Sequence, residues 1–71
     1  MMATNWTSLL STKRNRSAVS NFASGDISGR EFYSGFANTS NGGVVRGLLR
    51  NYGVDQARTL ARKALSRRSG V

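Results

Sequence analysis

Residues 44–68 read VVRGLLRNYGVDQARTLARKALSRR, two helix-spaced apolar stripes that meet at a single glycine. Val54, Ala57, Leu60, Ala61, Ala64 and Leu65 fall at offsets 0, 3, 6, 7, 10 and 11, the spacing of one helical face. Arg58, Thr59, Arg62, Lys63 and Ser66 then project to the flank or the far side. Asp55 suits an N-cap or first-turn position, where a carboxylate accepts free N–H groups and meets the positive end of the helix dipole. Lys63, Arg67 and Arg68 lie towards the other end, where cations are favoured, and Gly70 is a stop. The pattern predicts a helix from about Asp55 to Arg68.

Upstream of Gly53, Val44, Val45, Leu48, Leu49 and Tyr52 share another helical face, while Arg46 and Arg50 stand four apart on a different one. Gly47 costs this helix up to about 1 kcal/mol relative to Ala, and a neighbour packing closely against it would offset that cost. Gly53 fits a left-handed C-terminal cap, with Val54 as the apolar contact that often follows. The reading is a helical hairpin whose apolar faces meet and whose Arg46, Arg50, Arg58, Arg62 and Lys63 face outward.

In the first half, Ser28-Gly29-Arg30-Glu31 is a capping box, with Ile27 and Phe32 placed as a hydrophobic staple. It predicts a short helix from about Gly29 to Ala37, with Phe32 and Phe36 one turn apart. Trp6, Leu9 and Leu10 form one apolar triplet and Ala18, Val19 and Phe22 another. At 100° per residue the two triplets point in different directions, so a bend or break is expected at Ser11 to Ser17, with Lys13, Arg14 and Arg16 exposed on it. Gly25 ends the second piece. The stretch from Asn38 to Gly43 reads as a flexible joint. The expected fold is all-α, with three or four short helices ending in a basic hairpin around a small core. Residues 1–40 form a mixed-charge helical segment and residues 41–71 a basic hairpin.

The whole chain has 71 residues, 11 Lys+Arg, 3 Asp+Glu and a formal charge of +8. Of this, +6 lies in residues 41–71, where seven cations face only Asp55. Nine of the eleven cations are Arg, whose planar guanidinium grips phosphate in two-point fashion and is less strongly hydrated than ammonium. A merely solvated face would mix its signs. The pattern therefore points to a polyanion, nucleic acid first, contacted at its phosphates by Arg46, Arg50, Arg58, Arg62, Lys63, Arg67 and Arg68, with Lys13, Arg14 and Arg16 as a second patch. Among the aromatics, Phe32, Phe36 and Tyr52 read as core anchors, and Tyr33, beyond Arg30 and off the Phe face, as the candidate for stacking on bases.

Much else is excluded. With neither Cys nor His there is no disulfide, thiolate or imidazole metal site, and no usual general base. Asp26 and Glu31 are placed to cap helices, which leaves no catalytic residues, no cofactor, no metal and no small-molecule substrate. A chain this short hides only about 60% of its unfolded surface. With Ser, Thr and Asn making up 21 residues, its core is expected to be diluted and a partner to help order it. That supports a second reading: a structural or assembly protein of a larger, virion-like particle, as a homo-oligomer or with other chains. An anionic membrane surface ranks lower, because the apolar face of the last helix is half alanine with no Trp or Phe.

No run of about 18 apolar residues exists, so no membrane span is expected. No secretion signal is expected either. The acid-free, Ser/Thr-rich first 25 residues loosely resemble an organellar transit peptide but lack its amphipathic Arg stripe. The expected setting is a reducing intracellular compartment or a virion interior.

Two motif resemblances bear on the hairpin. Leu48, Tyr52, Gly53 and Val54 resemble the signature around the turn of a DNA-reading helix-turn-helix. The chain departs from it at Leu49, where a small residue is usual, and at Thr59 and Arg62, where the recognition helix buries aliphatics. A generic helical hairpin is the better reading, and base-specific contact would rest on Gln56 and Asn51 alone. Tyr52-Gly53-Val54 is also similar to the turn of a ubiquitin-associated domain, but only Ser69, Gly70 and Val71 remain where that domain has a third helix. Gly42-Gly43 before a helix suggests a phosphate loop, yet the Lys and Ser/Thr of a Walker motif are absent.

Overall fold

Four helices follow one another along the described part of the chain in the computed structural model, which describes residues 6–69, with side chains through residue 67. They are α1 (Trp6–Leu9), α2 (Lys13–Ser24), α3 (Gly29–Phe36) and α4 (Gly42–Ser69), and no strand occurs among the described residues. The all-helical expectation holds.

The break between the first two helices is shorter and earlier than the apolar triplets suggested. Thr12 is an extended N-cap, φ −122°, whose side chain accepts the Asn15 N–H at 3.0 Å. Helix α2 therefore starts at Lys13. Lys13, Arg14 and Arg16 lie on its first turns rather than in the break, and Arg16 is half-buried. At the other end Gly25 takes φ 91°, ψ 5°. Its N–H donates to Phe22 O at 3.1 Å and that of Asp26 to Asn21 O at 2.9 Å, the paired bonds of a Schellman motif. Asp26 thus contributes to capping through its backbone N–H.

Helix α3 begins as the capping box requires. Ser28 Oγ accepts the Glu31 N–H at 3.1 Å, and the Ser28 N–H donates to Glu31 Oε1 at 3.2 Å. It ends at Phe36, one residue before the expected Ala37.

The segment over 38–43 is a tight turn at 38–41 running directly into α4, and not a flexible joint. Thr39 Oγ1 donates to Phe36 O at 2.7 Å and the Gly42 N–H to Thr39 O at 3.1 Å. Asn41 is buried and accepts from Ser8 Oγ at 2.5 Å, tying α1 to the head of α4. Its own carbonyl receives the Val45 N–H at 3.0 Å as α4 starts. A Cβ on Gly42 would stand 2.8 Å from the Phe36 carbonyl oxygen, so the backbone passes where only glycine fits.

Helix α4 is interrupted at Gly53, φ 81°, ψ 163°. The positive φ is the one expected, but ψ is extended rather than left-handed helical. This region is essentially reserved for glycine, and it divides α4 into arms over 42–52 and 54–69. Val45 and Leu48 of the first arm and Ala57 and Ala61 of the second are buried in the same cluster as Leu9, Val19, Phe22, Phe32 and Phe36. The described residues before and after position 40 thus share one core. Val54, expected on the buried stripe, is 40% exposed at the break. A Cβ on Gly47 would meet nothing within 4 Å, so no neighbour packs closely there.

At the centre Phe22 and Phe32 stack with ring centroids 4.2 Å apart and planes 5° from parallel, and Phe36 meets Phe32 edge-on at 5.4 Å. The radius of gyration is 10.8 Å, against about 11 Å expected of a folded chain of this length. Among the described residues no buried side-chain polar atom lacks a hydrogen-bond partner. Despite its polar composition, the chain closes a core from its own residues.

Candidate functional site

The helix ends built by Gly25 and Thr12 decide which cations remain available. The carbonyls at the end of α2 have no partner within the helix, and the negative end of its dipole lies there. Arg58 meets both needs. Its guanidinium lies 4.6 Å from the Phe22 ring centroid, and Nη1 donates to Phe22 O and, at 3.1 Å, to Ile27 O. Arg62 Nη1 donates to Ala23 O at 2.8 Å and Nη2 to Thr59 Oγ1 at 3.2 Å. Arg16 Nη1 does the same for α1, donating to Leu10 O at 3.1 Å. Arg58 and Arg16 are half-buried, which corrects their expected outward placement. These three guanidiniums are part of the fold.

Lys13, Arg14, Arg46, Arg50, Lys63 and Arg67 are exposed, as is Arg30. The side chain of none of the seven has a hydrogen bond or ion pair among the described residues. The side chain of Arg68 lies outside the described residues. Lys13 and Arg14 occupy the first turn of α2, which has no acid in it. Cations there are opposed by the helix dipole, at a cost of about 0.3–1 kcal/mol each.

Three of the seven converge. On α3, Arg30 and Tyr33 are three residues apart; on the first arm of α4, Arg46 and Arg50 are four apart with Leu49 between. Packing of α3 against α4 brings these side chains around one open depression, lined by Gly29, Arg30, Tyr33, Arg46, Leu49, Arg50 and Val54. Gly29 makes the approach possible, since even a Cβ there would lie 3.0 Å from Val54 Cγ2. No carboxylate lines the depression. Arg30 was not among the cations singled out from the sequence: it is a lone Arg in the mixed-charge half, and only tertiary packing sets it beside Arg46 and Arg50. A second, smaller groove is lined by Trp6, Thr7, Leu10, Ala64 and Arg67.

The chemistry available is therefore that of guanidinium donors, aliphatic side chains and one phenol ring lining the same depression. Among the described residues no group of three His, Cys, Asp or Glu gathers as a metal site. No helix among them is long and apolar enough to cross a membrane. Thr59 and Arg62, where a helix-turn-helix would bury aliphatics, are exposed. Comparison with known proteins finds no family model, no curated protein and no solved structure that this chain matches.

Proposed function

We propose that this protein binds nucleic acid through phosphate contacts, largely without regard to sequence, and is not an enzyme. The observation that carries this reading is the convergence of Arg30, Arg46 and Arg50 around a depression with no acidic lining. Elsewhere the fold engages three other arginines at helix-end carbonyls, so unpartnered guanidiniums are not simply its habit. Arg matches phosphate in a two-point fork. Lys13 and Arg14, set against a helix dipole, form a second exposed basic pair whose cost a bound phosphate would offset. The self-contained core favours this reading over a structural chain ordered only within a larger assembly. The proposed setting is an intracellular compartment or a virion interior, where nucleic acid is present.

The test is fluorescence anisotropy with labelled duplex DNA, single-stranded DNA and RNA across a range of salt concentrations. With about six cations engaged on a duplex, log K falls against log salt with a slope near −5. A slope near zero contradicts the proposal.

A further inference from the structure

Resting on that reading, we infer that the depression between α3 and α4 receives an unpaired nucleotide, its base lying on the apolar floor and its flanking phosphates on the arginine rim. The depression combines two chemistries. Arg30, Arg46 and Arg50 offer anion donors, whereas Leu49, Val54 and the ring of Tyr33 offer apolar surface. Val54 is the large apolar side chain most conspicuously left open to solvent among the described residues, at 40%. It sits where Gly53 breaks α4 and Gly29 brings α3 close.

A ligand satisfying only the rim needs charge, and one satisfying only the floor needs an apolar face. A nucleotide in a single strand carries both within one repeat, a flat base beside a phosphate on either side. Duplex DNA presents the phosphates but keeps its bases stacked on each other, which leaves Leu49, Val54 and Tyr33 facing water. Base stacking on an aromatic ring serves any base, which suits a site lacking the Asn or Gln side chains that read base edges. The positive rim and the missing carboxylate make the fit to a nucleic-acid strand one of charge as well as shape.

The experiment compares a labelled strand of about ten thymidines, an abasic deoxyribose-phosphate strand of equal length and a thymidine–adenine duplex, each against the intact chain at one salt concentration. The expected result is roughly tenfold tighter binding of the thymidine strand than of the abasic strand. Tyr33→Ala is expected to abolish that margin, and Tyr33→Phe to retain it. Equal affinity for thymidine and abasic strands overturns the inference while leaving phosphate binding intact. So does duplex bound as tightly as the thymidine strand. Binding to none of the three, with capture instead by anionic vesicles or an acidic amphipathic peptide, overturns both the inference and the function on which it rests. The wild-type comparison of the strands stands even where Tyr33→Ala lowers stability, and circular dichroism reports that separately.

Discussion

Arg58 holds Phe22 twice, by its guanidinium lying 4.6 Å from the ring centroid and by a hydrogen bond to the carbonyl of the same residue. Phe22 in turn stacks on Phe32, so one cation closes the end of α2 and covers the aromatic stack. Replacing Arg58 by Ala removes a charge-assisted cap and a cation–π contact together, and urea unfolding should show a loss of about 2–3 kcal/mol. For a domain of this size each kcal/mol is worth roughly 4–8 °C in Tm. Arg58→Lys should recover less than half, because an ammonium lacks the planar guanidinium that lies over the Phe22 ring while its Nη1 serves both Phe22 O and Ile27 O.

The glycine that starts α4 and the one that interrupts it should respond to alanine for different reasons. At Gly53 there is open space around a new Cβ but a backbone with φ 81°, ψ 163°, so Gly53→Ala should cost about 1–3 kcal/mol through backbone strain alone. At Gly42 the obstacle is the Phe36 carbonyl, and the turn itself must move. Thermal melts should fall for both. Near-ultraviolet circular dichroism should change more for Gly42→Ala, which disturbs the turn next to the buried Asn41 and the aromatic Phe36.

Gly47 should behave in the opposite way. It lies inside the 42–52 arm, and an added Cβ meets nothing within 4 Å. Gly47→Ala should therefore stabilise the chain by about 0.5–1 kcal/mol, the helix-propensity difference. An upward shift of the urea midpoint with unchanged nucleic-acid affinity is the expected pair of results.

These expectations separate what is local in the sequence from what is not. The capping box at Ser28 and Glu31, the stop at Gly25 and the break at Gly53 are legible because each depends on residues within one turn. The buried positions Val45, Leu48, Ala57 and Ala61 follow from helical period. The roles of Arg16, Arg58 and Arg62 are not legible in the same way. Arg58 reaches a carbonyl 36 positions away and Arg62 one 39 positions away, and from sequence alone a cation facing solvent and one facing a helix end look identical. The turn over 38–41 is not legible either, because the polar, glycine-rich composition of 38–43 is also that of a linker. What orders it is Ser8, 33 positions away, donating to Asn41. The candidate site was half visible: Arg46, Arg50 and Tyr33 each stood out, but Arg30 and the depression exist only through the packing of α3 on α4.

The arginines divide into those that hold the fold and those proposed to hold the ligand, and the two sets should separate in experiment. Arg58→Ala and Arg62→Ala should lower the urea midpoint, whereas Arg30→Gln, Arg46→Gln and Arg50→Gln, all exposed and unpartnered, should each move it by less than about 0.5 kcal/mol.

The most direct test is the salt dependence of single-stranded DNA binding, measured by anisotropy for the wild type and for the combined Arg30→Gln, Arg46→Gln, Arg50→Gln variant. Removing three phosphate contacts should flatten the slope of log K against log salt by about 2 and weaken binding at low salt, with the urea midpoint held. An unchanged slope and affinity in the triple variant, or a wild type whose binding does not respond to salt, would contradict the assignment.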